Sequence, residues 1–358
     1  MSLSKIALRN FRCFSGVDLD LSPGINFFYG ANGSGKTSIL EAAYIFSNGK
    51  SFKSANLTSL IKHNSEKFLL KGFDGTRGDV IEIEKHINKP IFISLNNKKT
   101  PTNKLIKKFP STAIHNNTFS FADAAPDFRR KILDRSVTIS NEAFLLNWFS
   151  YHRTLKQRNS ILKNNRISDI YAWNFKLSEH GEPLTQSRKV FFRKTLEYFR
   201  LILNQIDAAS VFDFLDCIDI HFFQGWDEQK SLKKSLEENI KNDLRRKSTS
   251  VGPHKADIKF LINNIDAKQI LSRGEQKLFS VLWSCAQNEV LKMEYKIDPL
   301  LIIDDIKSEL DDRVFNVLIQ ILKTNQNQII FSCIDNTFSS KITDNFNQFK
   351  MFHVEQLG

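Results

Sequence analysis

At residues 30–37 the chain reads Gly30-Ala31-Asn32-Gly33-Ser34-Gly35-Lys36-Thr37, which fits the phosphate-loop pattern G-x-x-x-x-G-K-[ST]. In this pattern the backbone N–H groups of the loop wrap the phosphates of a nucleotide. We expect Lys36 to reach the β- and γ-phosphates and the Thr37 hydroxyl to bind Mg²⁺. The predicted nucleotide-binding residues are Gly30, Ala31, Asn32, Gly33, Ser34, Gly35, Lys36, Thr37 and Ser38.

The residues on either side of this loop have the patterns that a phosphate loop requires. Before it, Ile25-Asn26-Phe27-Phe28-Tyr29 predicts a short apolar strand, and after it residues 37–46 have helical spacing. Asn48-Gly49 then predicts the end of the helix. A helix N-terminus directly after the loop adds unpaired N–H groups and a partial positive charge to the phosphate site. A glycine-rich turn without a ligand is the alternative.

The length and composition indicate a two-domain protein of the cytoplasm. The 358 residues contain no apolar run of 18 residues, so we expect no transmembrane span, and the N-terminus does not resemble a signal peptide. The four cysteines, Cys13, Cys217, Cys285 and Cys333, form no C-x-x-C pair. Scattered thiols of this kind favour a reducing compartment over disulfides or a zinc site.

The pattern of apolar residues changes twice along the chain. Residues 51–118 alternate like a β-meander, with a hairpin at Asn96-Asn97, and helical spacing begins near Ala122. His180–Pro183 predicts a break in this helical region, and the charged segment Lys230–Lys247 predicts an exposed helix at its end. We therefore predict an ATPase lobe at 1–121, an inserted helical arm at 122–247 and a second ATPase lobe at 248–358.

The charge of the chain favours an anionic partner. The net charge is +12, and residues 129–200 contain fifteen Lys or Arg against six Asp or Glu. We interpret this region as a DNA-binding surface, and a solvated helical face is the alternative reading. The candidate DNA-binding residues are Arg129, Arg130, Arg153, Lys156 and Arg158.

A second phosphate-binding element is predicted at Leu271-Ser272-Arg273-Gly274-Glu275, ahead of an apolar helix. Ser272 and Glu275 fit a capping box, which is the purely structural interpretation. A capping box does not require Gly274, and glycine in a first helical turn costs about 1 kcal/mol relative to alanine. The pentad resembles the signature motif of ABC-type ATPases, which binds the γ-phosphate of ATP held by another subunit. That resemblance makes Ser272, Arg273, Gly274 and Glu275 signature residues acting in trans.

A third element, Pro299-Leu300-Leu301-Ile302-Ile303-Asp304-Asp305, is an apolar run that ends in two carboxylates. Continuous hydrophobicity predicts a strand of a parallel sheet covered on both faces, and its carboxyl end lies where such sheets bind ligands. Asp304 is then the Mg²⁺-binding carboxylate, and Asp305 is placed to orient or deprotonate the attacking water. With Lys36, these are the predicted catalytic residues. Ser308, Glu309 and Asp311 follow at the spacing of a D-loop.

With these motifs in place, the chain resembles the RecF family, bacterial recombinational-repair ATPases related to SMC proteins. The resemblance extends over nearly the whole chain and includes segments that are not general ATPase motifs. These are Leu8-Arg9-Asn10-Phe11-Arg12, Pro126–Asp134, Leu155–Asn159, Gly252-Pro253-His254 and Asp304–Asp311.

Three positions depart from the family pattern. Glu275 replaces the usual Gln of the signature, and Lys255 replaces a common Arg. No Gln precedes Gln157, so the segment His115-Asn116-Asn117 falls where the Q-loop residue is expected.

The resemblance implies an α/β fold, an ABC-type P-loop ATPase head with an inserted all-α arm domain. It further implies Mg–ATP binding, an ATP-dependent homodimer that clamps double- and single-stranded DNA near gaps, and weak DNA-dependent ATP hydrolysis that releases it. Cooperation with RecR and RecO in loading RecA is also implied, and no membrane partner. Two other classes stay open, a transporter ATPase subunit and an SMC-like DNA-organising ATPase. The basic arm argues against the first, and the short insertion argues against the second.

Overall fold

The computed structural model describes residues 2–115, 121–164, 167–206, 213–215, 217–305, 312–325, 327–334 and 339–357. The chain divides into two compact units. The first unit comprises Met1–Ser120, Leu201–Val211 and Ser272–Gly358, and the second comprises Phe121–Arg200 and Phe212–Leu271.

The described strands are, in chain order, β1 (Leu3–Phe11), β2 (Phe14–Asp20), β3 (Ile25–Tyr29), β4 (Lys67–Asp74), β5 (Val80–His86), β6 (Phe92–Leu95), β7 (Lys98–Lys99), β8 (Ser111–Ile114), β9 (Ile218–Phe223), β10 (Asp257–Ile262), β11 (Ile265–Asp266), β12 (Leu300–Ile303), β13 (Ile329–Cys333) and β14 (Phe349–His353). The described α-helices are α1 (Lys36–Asn48), α2 (Thr102–Lys108), α3 (Pro126–Ser140), α4 (Glu142–Lys163), α5 (Ile170–Gln205), α6 (Leu232–Glu238), α7 (Ile240–Arg246), α8 (Arg273–Tyr295), α9 (Asp312–Thr324) and α10 (Ser339–Asn345).

A parallel sheet forms the centre of the first unit. Its strand order is β14-β3-β13-β12-β8, and every neighbouring pair is parallel. All residues of β12 and β13 are buried, as their continuous apolar sequences predict. Because β13 alone separates β3 from β12, the loop after β3 and the carboxylates after β12 meet at the same edge of the sheet.

An antiparallel sheet of order β2-β1-β4-β5-β6-β7 forms the other layer of this unit. The predicted β-meander is therefore confirmed for β4 to β7, whereas residues 102–114 of the predicted meander form helix α2 and strand β8 of the parallel sheet. Asn96 and Asn97 have φ values of 50° and 61°, which is the backbone of a tight hairpin turn between β6 and β7. Helix α1 contacts both sheets, and its buried Ile39, Leu40 and Phe46 join one hydrophobic cluster with residues of each.

The second unit contains helices α3, α4, α6 and α7, α5 as far as Arg200, and an antiparallel sheet of order β11-β10-β9. Strand β9 lies in the segment that we expected to be all helical. Its sequence Ile218-Asp219-Ile220-His221 alternates apolar and polar residues, which is the period of a strand, and it pairs along its length with β10. The predicted exposed helix at residues 230–247 is instead two short helices, α6 and α7, with buried Leu232, Leu236 and Asp243.

The predicted break at His180–Pro183 is wrong, because α5 continues through Pro183. A proline inside a helix removes one backbone hydrogen bond. Leu177, Leu184 and Phe191 are all fully buried at a spacing of seven, so packing on both sides of the proline supports a continuous helix.

The second unit also extends further than the boundary that we placed at residue 247. The Gly-Pro-His segment and β10 belong to it. Arg129 pairs with Asp257 at 2.8 Å, and Arg188 Nη1 donates to the carbonyl of Pro253 at 2.6 Å. These contacts attach residues 252–257 to α3 and α5.

A buried ion pair fixes the helices of the second unit to one another. Both side chains of the pair Arg158–Asp243 are completely inaccessible to solvent, with Nη1 and Oδ2 2.8 Å apart. Arg158 also donates to the Asn174 carbonyl oxygen and to the Thr249 hydroxyl, both at 2.7 Å. The guanidinium therefore joins α4, α5, α7 and the segment before the Gly-Pro-His turn.

We expect Arg158→Ala to lower the free energy of unfolding of the second unit by about 3–5 kcal/mol, because it leaves the Asp243 carboxylate buried without its cation. Urea unfolding followed by circular dichroism measures this change. Arg153→Ala, an exposed arginine on the same helix, is the control and should change stability by less than about 0.5 kcal/mol. Equal stability of the two variants would show that the ion pair does not support the fold.

Candidate nucleotide-binding site

The loop between β3 and α1 has the backbone of a phosphate loop. Gly35, directly before α1, has a φ of 109°, and a Cβ there would lie 2.6 Å from the ring of Phe14. Glycine is thus required at this position both for the left-handed backbone and for close packing on β2. Lys36 Nζ donates to the carbonyl oxygens of Gly30 at 2.6 Å and Ala31 at 2.8 Å, so its side chain closes over the loop.

Four polar groups meet where β3, β13 and β12 end. The Thr37 hydroxyl lies 3.0 Å from each carboxylate oxygen of Asp304. The Ser332 hydroxyl, on β13 between them, donates to Asp304 Oδ1 at 2.8 Å and accepts the backbone N–H of Asp305 at 2.9 Å. Asp305 has a φ of 53°, an uncommon conformation for a non-glycine residue that is often found at functional sites. The structure thus brings the two predicted motifs into direct contact.

Burial controls the charges of this cluster. It raises the pKa of Asp304, and the hydrogen bonds from Ser332 and Thr37 oppose that shift because they favour the carboxylate. Burial lowers the pKa of Lys36, and the neighbouring Asp305 and Asp304 oppose that shift in turn. One ammonium group and two carboxylates therefore share a partly dry site.

A cavity of about 450 Å³ opens over the cluster. Besides the predicted residues Asn32, Gly33, Gly35, Lys36, Thr37, Ser38, Asp304 and Asp305, it is lined by Arg12, Cys13, Glu41, Lys53, Ser59, Ile61 and Ser332. The cavity is thus continuous from the phosphate loop to the turn between β1 and β2.

Sequence reasoning gave no role to Arg12 and Glu41, which form an ion pair beside this cavity. Glu41 lies on α1 and is fully buried, and its two oxygens accept from Arg12 Nε at 2.9 Å and Nη2 at 3.0 Å. The Ser51 hydroxyl also donates to Glu41. The signal in the sequence was a glutamate among the apolar residues of a helix that faces two sheets.

The chemistry of Thr37 and Asp304 fits a magnesium ion. Hydroxyl and carboxylate oxygens are the hard donors that Mg²⁺ prefers, and the ion usually binds through one or two protein groups together with nucleotide phosphates. The described residues contain no group of three or more His, Cys, Asp or Glu side chains that could hold another metal.

The start of α8 forms the capping box that the sequence offered as its structural interpretation. The Ser272 hydroxyl accepts the Glu275 N–H at 3.4 Å, and Glu275 Oε2 accepts the Ser272 N–H at 2.7 Å. Ser272 and Arg273 are exposed, and neither lines the cavity over Lys36.

Comparison with known proteins identifies the family of this chain. Residues 2–356 match the RecF/RecN/SMC N-terminal domain family. The DNA replication and repair protein RecF of Shewanella frigidimarina (strain NCIMB 400) is 32% identical over 99% of this chain and 98% of its own. RecF of Glaesserella parasuis serovar 5 (strain SH0165) is 34% identical over 93% of this chain and 92% of its own.

The chain belongs to the RecF family. Its fold agrees with that of the recombination mediator protein RecF solved with ATP, with a TM-score of 0.80 at 23% identity, covering 99% of this chain and 96% of that one. An SMC head bound to the C-winged helix domain of ScpA has the same type of fold, with a TM-score of 0.59 at 14% identity over 98% and 94% of the two chains. The predicted ATPase-head fold is therefore confirmed.

Two further motif regions of the RecF-family pattern are only partly visible. The predicted D-loop residues Ser308, Glu309 and Asp311 lie outside the described residues, as do Asn116 and Asn117. His115, at the end of β8, stacks on Phe52 with a centroid distance of 4.8 Å, and burial lowers its pKa to about 4. His115 is therefore neutral at pH 7.

Within the described part of this RecF-family chain, no helix has the length and apolar character needed to cross a bilayer.

The five predicted DNA-binding residues fall into two groups in the second unit. Arg129 is bound to Asp257, and Arg130 donates to the Ala256 carbonyl at 2.6 Å. Arg158 is the buried partner of Asp243, so our assignment of Arg158 to a DNA surface is wrong. Arg153 and Lys156 are exposed on α4. A basic pattern along a helix did not separate cations that hold the fold from cations that face solvent.

Replacing Ser332 by Ala should raise the pKa of Asp304 further, because the Ser332 hydrogen bond favours the carboxylate. Since the group must be deprotonated to bind a metal, the Mg²⁺-dependent part of ATP-analogue binding should be lost at a higher pH in the variant as the solution is acidified. Titrations of Mg²⁺ with a fluorescent ATP analogue between about pH 5 and pH 8 measure this.

Ser284→Ala is the matched control for this experiment. Ser284 is a buried serine on α8 whose hydroxyl donates to the Ser280 carbonyl, outside the cavity. Coinciding pH profiles for Ser332→Ala and Ser284→Ala would contradict the role given to Ser332.

Proposed function

We propose that this chain is an ATP-dependent DNA-binding protein of replication and recombinational repair, in which Mg–ATP joins two copies into a clamp on DNA. The observation that carries the proposal is the contact between Thr37 and Asp304, with Lys36 beside it, where the parallel strands β3 and β12 end. That arrangement fits a nucleoside triphosphate with Mg²⁺: Thr37 and Asp304 would hold the ion, and the ion would neutralise part of the phosphate charge.

The signature residues are proposed to act on the ATP of a second copy. Ser272 is exposed at the N-terminus of a long helix and does not line its own chain's cavity. A capping hydroxyl accepts one hydrogen bond and still carries a proton to donate, so the cap leaves Ser272 able to contact a phosphate. The N-terminus of α8 and the small Gly274 favour the same ligand. The Glu275 carboxylate is turned back and already accepts a hydrogen bond from the Ser272 N–H.

Hydrolysis is assigned to Asp305. The Asp305 N–H donates to the Ser332 hydroxyl. The position of Asp305 after Asp304 suits a group that orients an attacking water or accepts a proton from it. Loss of the shared phosphate would remove the interaction that favours the closed dimer, and the two copies would separate. A weak, DNA-dependent ATPase suits this cycle, because slow turnover gives the clamp a long lifetime.

DNA is proposed to be bound mainly through its phosphates. The net charge of +12 and the exposed Arg153 and Lys156 on α4 support this. The RecF relatives are named as DNA replication and repair proteins, and the similar RecF structure is assigned to the RecFOR pathway. That likeness supports the further proposal that this chain acts with RecO and RecR, and that together they load RecA near single-strand gaps.

Ser272→Arg should leave ATP binding unchanged and abolish ATP-induced dimers, because the added side chain would meet the phosphate site of the other copy. Lys36→Ala should abolish both, because it removes the ammonium group at the phosphate loop. Light scattering measures dimer formation, and a fluorescent ATP analogue measures binding. ATP-induced dimers of the Ser272→Arg protein would contradict a phosphate site shared between two copies. Loss of ATP binding would show that Ser272 has a structural role within its own chain.

Charge reversal at Arg153 and Lys156 should flatten the plot of log affinity for duplex DNA against log salt by about 0.9 for each lost phosphate contact. Lys98→Glu with Lys99→Glu, an exposed pair on β7 in the first unit, provides a control with the same change in net charge. If both double variants give the same slope, the DNA surface does not include α4.

A further inference from the structure

Glu355, two residues after β14, binds the backbone of the phosphate loop. Strands β3 and β14 are parallel, and their last residues, Tyr29 and His353, are paired in register and stacked with ring centroids 5.1 Å apart. Ala31 and Glu355 each follow two residues later, so both lie at the edge of the sheet where the two strands end. Glu355 Oε1 accepts the Ala31 N–H at 2.8 Å.

The turn Val354–Gln356, which carries Glu355, is fixed to the first unit. Val354 is 1% exposed and belongs to the hydrophobic cluster that contains the buried residues of α1, and Leu357 packs against the same cluster. His353 Nε2 lies 3.2 Å from Glu355 Oε2, so each carboxylate oxygen has its own partner. The Glu355 carboxylate therefore reaches the loop from a well-anchored turn.

The peptide group between Gly30 and Ala31 is bound on both sides. Its N–H donates to Glu355, and its carbonyl oxygen accepts from Lys36 Nζ at 2.6 Å. Gly30 has a φ of 150°, in a region that glycine adopts readily and other residues rarely adopt. Two hydrogen bonds, one to an anion and one to a cation, thus fix a peptide group whose orientation glycine leaves open.

The orientation of this peptide group determines where the Lys36 ammonium lies. That ammonium also donates to the Ala31 carbonyl at 2.8 Å, so two consecutive carbonyl groups of the loop hold it. An anionic acceptor on the N–H side of a peptide group polarises the group and makes its carbonyl oxygen a stronger acceptor. Glu355 therefore supports the position of Lys36 from outside the cavity, which Glu355 does not line.

We propose that Glu355 is a positioning residue for ATP binding, because its carboxylate holds the Gly30–Ala31 peptide group in the orientation that places Lys36 for the phosphates. Glu355 acts through this peptide group and Lys36 and does not touch the nucleotide. This inference rests on the proposed function, because it adds to the ATP site a residue that follows β14.

The charge of Glu355 and its hydrogen bond have opposite effects on phosphate binding. A carboxylate near the loop repels an anionic ligand, and solvent screens this repulsion because the Glu355 side chain is 46% exposed. Glutamine at this position removes the charge and keeps an oxygen that can accept the Ala31 N–H, whereas alanine removes both. Comparison of the two variants therefore separates the hydrogen bond from the charge.

The test measures the affinity of a fluorescent ATP analogue, with Mg²⁺, for the full chain and for Glu355→Ala and Glu355→Gln. Glu355→Ala should weaken binding about fivefold, the loss that corresponds to one hydrogen bond. Glu355→Gln should restore the affinity to within about twofold of the unmodified chain, because the Ala31 N–H keeps its acceptor.

Glu66→Ala is the matched control. Glu66 is exposed ahead of β4 in the first unit, and its replacement changes the net charge by the same amount. It should leave the affinity for the analogue unchanged. Thermal unfolding separates positioning from a structural role, since the midpoint of Glu355→Ala should stay within about 2 °C of the unmodified chain.

Unchanged binding by Glu355→Ala would overturn the inference. Equal weakening in the alanine and glutamine variants would show that the charge of Glu355 matters and its hydrogen bond does not, and tighter binding by both would show that the carboxylate only repels phosphates. A lower unfolding midpoint together with weaker binding would assign Glu355 to the structure of the first unit. Failure of the unmodified chain to bind the analogue would instead overturn the proposed function, and this inference with it.

Discussion

A carboxylate placed in a mostly buried position needs hydrogen-bond donors, and in this structure Asp304 obtains one from helix α1 and one from strand β13. Thr37 follows β3 and Ser332 lies on β13, and both hydroxyls point to the carboxylate that follows β12. Strand order alone makes this possible, because β13 lies between the other two. The same bonds fix the start of α1, directly after the phosphate loop, against the carboxylate that follows β12. The geometry of the nucleotide site thus follows from how one buried acid is stabilised.

The parts of this site that the sequence predicted were those encoded within a few neighbouring residues. The loop at 30–37, the helix after it and the buried strand before Asp304 each have a local pattern with a physical cause. Arg12 and Glu41 were missed because their pairing joins β1–β2 to α1, and no local pattern in the sequence specifies it. The hydrogen bonds by which Ser332 holds Asp304 and Asp305 became visible only with the strands in register.

The second unit shows why basic residues were harder to interpret. The segments around Arg129, Arg158 and His254 carried the resemblance to the RecF family, and in the structure they are bound to one another or to nearby acids. Tyr151 Oη lies 2.7 Å from His254 Nδ1, and burial lowers the pKa of His254 to about 4, so the imidazole is neutral at pH 7. A family-specific motif can therefore mark the interior of a domain as readily as its ligand surface. The sequence gives the number of cationic side chains, and only their packing in the fold decides which of them remain available to bind a ligand.

The position of β3 has a consequence for how this protein is made. Both of its neighbours in the sheet, β13 and β14, come from residues 329–353, about 300 residues further along the chain. At about 5–20 residues per second, a ribosome needs roughly 15–60 s to reach them, and during that time both hydrogen-bonding edges of β3 lack their strands. The nascent chain therefore presents an apolar, aggregation-prone segment for most of its synthesis. Its phosphate loop becomes a nucleotide site only near the end of translation.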